Sequence, residues 1–202
     1  VGAGCYAWLA SLRDDSQSGG KDAQAAGRVA LAYLSPVWEV TNVFLILFMV
    51  GMIGFFPISA RIFGTALLAP VSLASIALVA RGALFAYHHL DHAAMSRRVE
   101  RWVLGGFALS GFVALTLLVP FLAASESGAI TLGASGVVIV APTLLWLSPL
   151  QVALAALALA ASLYLGALTL AGYAARRSEY AAARFFRAAA WRMGWVSGAL
   201  AI

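Results

Sequence analysis

Long apolar runs separated by short polar stretches organise this 202-residue chain. Crossing about 30 Å of hydrocarbon takes about 20 apolar residues in a helix. The runs 37–58, 64–87, 103–123 and 150–173 reach that length and predict four complete transmembrane helices. Shorter apolar segments at 1–10 and 195–202 read as truncated helices, so the chain is expected to be an internal excerpt of a longer membrane protein. The runs are continuous rather than alternating, which excludes a closed barrel. The expected fold class is an all-α integral membrane protein, a polytopic helix bundle forming one domain over 1–202.

Between the helices lie a polar loop (Ser11 to Arg28), a tight turn at Ser59-Ala60-Arg61, a charged loop (His88 to Arg101), a long uncharged loop (Ala124 to Pro149) and an arginine-rich loop (Ala174 to Arg192). The first, third and fifth of these hold eleven of the thirteen basic residues: Arg13, Lys21, Arg28, Arg97, Arg98, Arg101, Arg176, Arg177, Arg184, Arg187 and Arg192. Basic residues gather in cytoplasmic loops, so these three are expected on the cytoplasmic side. In the long uncharged loop, Gly128 to Gly133 and Gly136 to Val140 are β-prone pieces bounded by glycines and predict a small hairpin. Small residues four apart, Gly106 with Ser110 and Ser162 with Gly166, allow close helix packing.

Composition agrees: hydrophobic residues make up 63% and charged residues 10%, whereas a soluble globular domain carries roughly 25% charge. The net charge of +5 follows from membrane topology and calls for no nucleic-acid partner. The single cysteine, Cys5, permits no internal disulfide and no cysteine metal cluster.

The candidate chemistry starts at Trp38-Glu39-Val40-Thr41-Asn42-Val43-Phe44, where a carboxylate and an amide stand at the mouth of an apolar run. An acidic side chain at mid-bilayer costs about 2.5 to 3.5 kcal/mol, and such groups face a partner or a water-filled path rather than lipid. Ser35-Pro36 reads as a capping serine with proline at the first helical position, which sets Glu39 in the first turn, where the helix dipole favours a carboxylate. Two readings of Glu39 stay open, a helix-start acid and a proton-handling or partner-contacting group. Asn42, three residues on, shares its face and could hold a water with it.

Arg81 is expected about one and a half turns from the cytoplasmic end of its helix, either snorkelling to the interface or paired with an acid of a neighbouring helix such as Glu39. His88-His89-Leu90-Asp91-His92 places two imidazoles at i, i+4, a metal-ligand spacing, but at a helix end beside basic residues, where a solvated cluster is expected. These are the chain's three histidines, so mid-membrane axial ligation of haem is not expected. Trp38, Trp102 and Trp191 near one set of helix ends and Trp146 near the other fit interfacial belts.

These residues resemble subunit II of the cytochrome bd-type quinol oxidases. That family shows Trp-Asp-Gly-Asn-Gln/Glu-Val-Trp at the start of its second helix, after a proline; here Pro36, Trp38, Glu39, Asn42 and Val43 stand in a similar frame. Its next helix ends in Arg-Gly and then Phe-Glu-Phe-Arg, against Arg81-Gly82 and Phe85-Ala86-Tyr87-His88. Leu147-Ser148-Pro149 is similar to the Asn-Pro-Phe/Tyr that opens the family's fifth helix, and a basic stretch with one glutamate follows, Arg176-Arg177-Ser178-Glu179 and then Arg184. Departures are Glu39 for aspartate, Val40-Thr41 for Gly-Asn, Phe44 for tryptophan, and Ala86 for the usual acid. The chain resembles a divergent member.

The resemblance implies a respiratory complex of the bacterial cytoplasmic membrane in which quinol is oxidised and oxygen reduced to water. Subunit I, the partner, carries the quinol site with two b-type haems and one d-type haem. This chain holds no cofactor of its own, apart from a possible structural quinone, and serves as scaffold and cytoplasmic proton conduit. Glu39 and Asn42 are placed on the proton path, and Trp38 and Arg81 in structural or partner contacts. The competing reading from the residues is a small-substrate or ion transporter using Glu39 and Arg81, for which broken helices near mid-membrane are expected. A purely structural membrane anchor is the third.

Overall fold

The computed structural model describes residues 1–13, 20–90, 96–133 and 136–201. Nine helices and a two-stranded hairpin are described among them: α1 (Gly2–Arg13), α2 (Gly20–Phe55), α3 (Pro57–Ala66), α4 (Leu68–Leu90), α5 (Arg97–Leu118), α6 (Pro120–Glu126), β1 (Ile130–Leu132), β2 (Val138–Val140), α7 (Pro142–Leu147), α8 (Pro149–Arg176) and α9 (Tyr180–Leu200). The expectation of an all-α polytopic membrane protein holds. Three helical stretches, Leu68–His89, Arg97–Ala124 and Pro149–Arg176, are long and apolar enough to cross a membrane, and Ile46–Phe55 with Pro57–Ala66 forms a further apolar pair bent by 119°.

Local chemistry sets the helix boundaries. Pro57, Pro120, Pro142 and Pro149 open α3, α6, α7 and α8. At a first helical position the missing N–H costs nothing and the fixed φ suits the helix. The Ser148 hydroxyl accepts from the Gln151 N–H at 3.1 Å, capping α8. Between α8 and α9 the chain turns through Ser178 in the left-handed region, φ 60°. There Glu179 N–H reaches Ala174 O at 3.0 Å and Ser178 N–H reaches Ala175 O at 3.2 Å, the paired bonds of a Schellman stop.

The Ser35-Pro36 start is not where this helix begins. α2 runs unbroken from Gly20, through the expected first loop, and encloses the run 37–58 almost to its end. The reason is burial: Ala25, Ala26, Val29, Ala30 and Leu34 lie in the main core, and that packing outweighs the local cost of a proline inside a helix. The turn expected at 59–61 is helical, and the break falls at Phe56 (φ −130°, ψ 58°), just before Pro57. From Val43 to Phe56 no described residue of α2 is buried.

α1 occupies the middle of the bundle, against α2, α5 and α8; α4 packs on α5, and α9 on α8 and α2. The core is built largely of alanine, filled out by Tyr6, Phe107 and Phe186. The rings of Tyr6 and Phe186 meet edge to face, centroids 5.8 Å apart, and the Tyr6 hydroxyl donates to Leu163 O at 3.2 Å. α1 and α8 touch backbone to backbone. A Cβ on Gly166 would stand 2.8 Å from Gly2 Cα, and one on Gly2 would run into Ser162 O. The Ser162/Gly166 pair therefore serves the close approach its spacing suggested.

The hairpin forms as expected, Ile130 opposite Val140 and Leu132 opposite Val138. A second apolar cluster, Leu67, Ala124, Ala129 and Leu145 with Phe63, Phe121 and Trp146 around it, roots it on the bundle. This is the hairpin end of the molecule. The opposite end carries Arg97, Arg98, Arg101, Arg176 and Arg177 and is called the arginine end below.

Candidate functional site: a polar line between α4 and α5

Residues spaced three and four apart on a helix share a face. On α4 this face reads Arg81, Leu84, Phe85, His88, and it lies along α5. Leu84 sits against Gly106, where a Cβ would be 3.0 Å from Leu84 Cδ1; Phe85 meets Phe107 with centroids 5.9 Å apart. The two polar members close the row at either end.

Arg81 is buried, 9% exposed. One guanidinium N–H donates to Phe107 O at 2.8 Å, an oxygen that also accepts from the Ser110 hydroxyl at 3.1 Å. The guanidinium carbon stands 3.8 Å from the centre of the Phe107 ring, a cation–π contact. Two glycines make the slot. A Cβ on Gly111 would collide with the guanidinium, and one on Gly4 would stand 2.5 Å from Phe107 Cε1 and 3.7 Å from the guanidinium.

α4 continues to Leu90, so Arg81 lies nine residues from the helix end (90 − 81), about 13 Å at 1.5 Å per residue. It is deeper than expected and its contacts are internal. Its described partner is a carbonyl and a ring; the Glu39 side chain, named as a possible counter-ion, lies outside the described residues.

His88 is also buried, 8% exposed, contrary to the solvated cluster expected at 88–92. Its Nε2 is 3.8 Å from a Glu100 carboxylate oxygen. Glu100 borders a cavity of about 220 Å³ at the arginine end, lined also by Gln24, Arg28, Arg97 and Arg101. On its other side His88 borders a void of about 10 Å³ walled otherwise by leucine, valine and phenylalanine side chains, among them Leu34, Phe85 and Phe107, so it lacks the two to four polar partners that a buried water needs. His89 is exposed and stacks on Phe85 at 5.6 Å. Asp91 and His92 lie outside the described residues, among which no group of three or more His, Cys, Asp or Glu comes together.

Glu39, Asn42 and Trp38 are helical residues of α2 whose side chains are not described. Their backbone position still corrects the first-turn reading of Glu39. It lies nineteen residues beyond Gly20 (39 − 20), about 28 Å along the axis, too far for the helix terminus to favour its charge. Leu34 borders the same small void as His88. From there Glu39 is five residues further along α2 (39 − 34) and Arg81 seven back along α4 (88 − 81), both toward the hairpin end.

The His88–Glu100 relation escaped the sequence reading because the two residues sit on different helices, α4 and α5. The available signal was a single acid, Glu100, among Arg97, Arg98 and Arg101, twelve residues after an i, i+4 histidine.

A family profile described as cytochrome bd terminal oxidase subunit II matches residues 1–202. A Bacillus subtilis (strain 168) protein, named provisionally as a cytochrome bd menaquinol oxidase subunit II, is 29% identical over 177 residues, covering 88% of this chain and 49% of the relative. The chain thus spans about half the length of that curated relative. No solved structure gives a significant match.

Proposed function

Because the chain belongs to the cytochrome bd terminal oxidase subunit II family, we propose that it forms the haem-free membrane subunit of a quinol:oxygen oxidoreductase. It stands as scaffold beside a haem-bearing subunit I and gives the complex a proton route from the cytoplasm. Two b-type haems and one d-type haem belong to the partner in this reading, and quinol and oxygen react there. A structural quinone within the lipid-embedded bundle remains compatible with it.

The observation that carries the proton route is the buried His88 beside Glu100, which borders a polar cavity at the arginine end. Taking the arginine end as cytoplasmic, Glu100 collects a proton at the cavity and His88 passes it inward. An imidazole suits this task, since its unperturbed titration falls between pH 5 and 8. Beyond His88, the depth of Glu39 on α2 supports its place on the route with Asn42. Arg81 holds its positive charge at comparable depth, against Phe107.

The test uses the complete complex purified from native membranes in mild detergent. Reduced-minus-oxidised haem spectra and quinol-driven oxygen uptake are recorded for wild type and Glu39→Gln. The proposal expects intact haem bands with uptake lost in the variant. Unchanged uptake removes Glu39 from the route; a haem-free preparation from membranes that contain the oxidase overturns the whole reading and leaves transport as the activity to assay.

A further inference from the structure

α9 carries three arginines, Arg184, Arg187 and Arg192, and its sequence contains no acid. Arg184, Arg187, Trp191 and Trp195 follow one another at three- and four-residue spacing and so share a face. The two tryptophans are 70% and 68% exposed, and their rings meet edge to face with centroids 5.9 Å apart. Beside them a groove of about 720 Å³ runs between α9 and α8, bordered by Arg187, Gly194 and Gly198 of α9 and by Tyr164 of α8. A Cβ on Gly194 would stand 3.2 Å from the Tyr164 ring, whereas one on Gly198 would meet nothing within 4 Å. The helices touch at the first glycine and leave space at the second.

We propose that this groove seats one anionic phospholipid, its phosphate between Arg184 and Arg187 and one acyl chain along the trough toward Gly198. Charge, depth and length each point to that occupant. Arg184 and Arg187 are both exposed, one turn apart, and two forked guanidinium groups complement a phosphate. Gly194 lies beside Tyr164, inside the apolar span Pro149–Arg176. α9 starts at the arginine end and helical side chains tilt toward the helix N-terminus, so both guanidinium groups extend from that depth toward the headgroup layer, with Trp191 in the interfacial belt below them. From Arg187 to Gly198 is eleven residues (198 − 187), about 16 Å, close to the roughly 15 Å of one hydrocarbon leaflet. The trough is chiefly apolar, which selects a lipid over free phosphate. Basic pockets beside membrane helices hold anionic headgroups in this way, and nothing in this site depends on the proton route.

The complete complex, extracted in mild detergent, is delipidated and re-exposed to vesicles of phosphatidylglycerol or of phosphatidylcholine, and the lipids retained per complex are counted by native mass spectrometry. Wild type is expected to keep one phosphatidylglycerol that the Arg184→Gln/Arg187→Gln variant loses, and to release phosphatidylcholine. Either single variant weakens retention about fivefold and the double about thirtyfold, at about 1 kcal/mol per arginine. Gly198→Leu places a side chain in the open part of the trough, where it meets no neighbour, and reduces retention with both charges in place. Equal retention of the two lipids by wild type overturns the proposal, as does a phosphatidylglycerol count unchanged in the double variant or in Gly198→Leu, or inorganic phosphate competing as well as the lipid. Haem spectra of the same samples report on the oxidase reading separately.

Discussion

Arg81 of α4 is held twice by Phe107 of α5, through a 2.8 Å hydrogen bond to its carbonyl and by stacking 3.8 Å above its ring. Both contacts use the planar, forked guanidinium, which an ammonium cannot reproduce. Arg81→Lys therefore keeps the charge and loses the geometry. The purified complex is expected to melt earlier, by an amount equivalent to about 1 to 3 kcal/mol. A melting curve that superimposes on wild type would show that charge alone matters.

The approach of α1 to α8 depends on the missing side chain at Gly166. Gly166→Val drives a side chain into Gly2, already 2.8 Å from a single added Cβ, and overpacking of this kind costs about 1 to 3 kcal/mol or more. Gly172 lies on the same helix with nothing within 4 Å, so Gly172→Ala is expected to gain up to about 1 kcal/mol from helix propensity. Thermal melts of the two variants should move in opposite directions.

His88 and Glu100 are expected to act as one unit. Glu100→Gln and His88→Gln should each lower quinol-driven oxygen uptake, by about tenfold or more for the loss of a positioned proton donor, and the double variant should lose little beyond either single. Additive losses in the double variant would show that the two side chains do not work in series.

Ser178 bears a left-handed backbone at φ 60° without needing its side chain for the Schellman bonds around it. An L residue pays about 1 to 2 kcal/mol there, relieved in glycine. Ser178→Gly should raise the melting temperature by the equivalent of about 1 kcal/mol, less the extra chain entropy of glycine, with turnover unchanged.

The two Ser-Pro pairs show how far local signals reach. Ser148-Pro149 opens α8, with the serine capping and the proline at the first position. Ser35-Pro36 has the same chemistry and lies within α2. The difference lies upstream, in Ala25 to Leu34, whose burial against other helices no local pattern reveals. Hydrophobic runs and the glycines around the hairpin were legible because lipid and tight turns constrain them locally. The burial of His88 was not, since it depends on Glu100 and on Leu34 from a third helix.

The contact between Gly2 and Gly166 also carries a sense of time. Its two halves lie far apart in the chain, with α2 to α7 between them. Until the later helix arrives, the earlier one presents a bare strip of backbone to lipid. α1 can seat first against α2 and α5, but its face toward α8 stays open until that helix is made, so α8 completes the bundle around it.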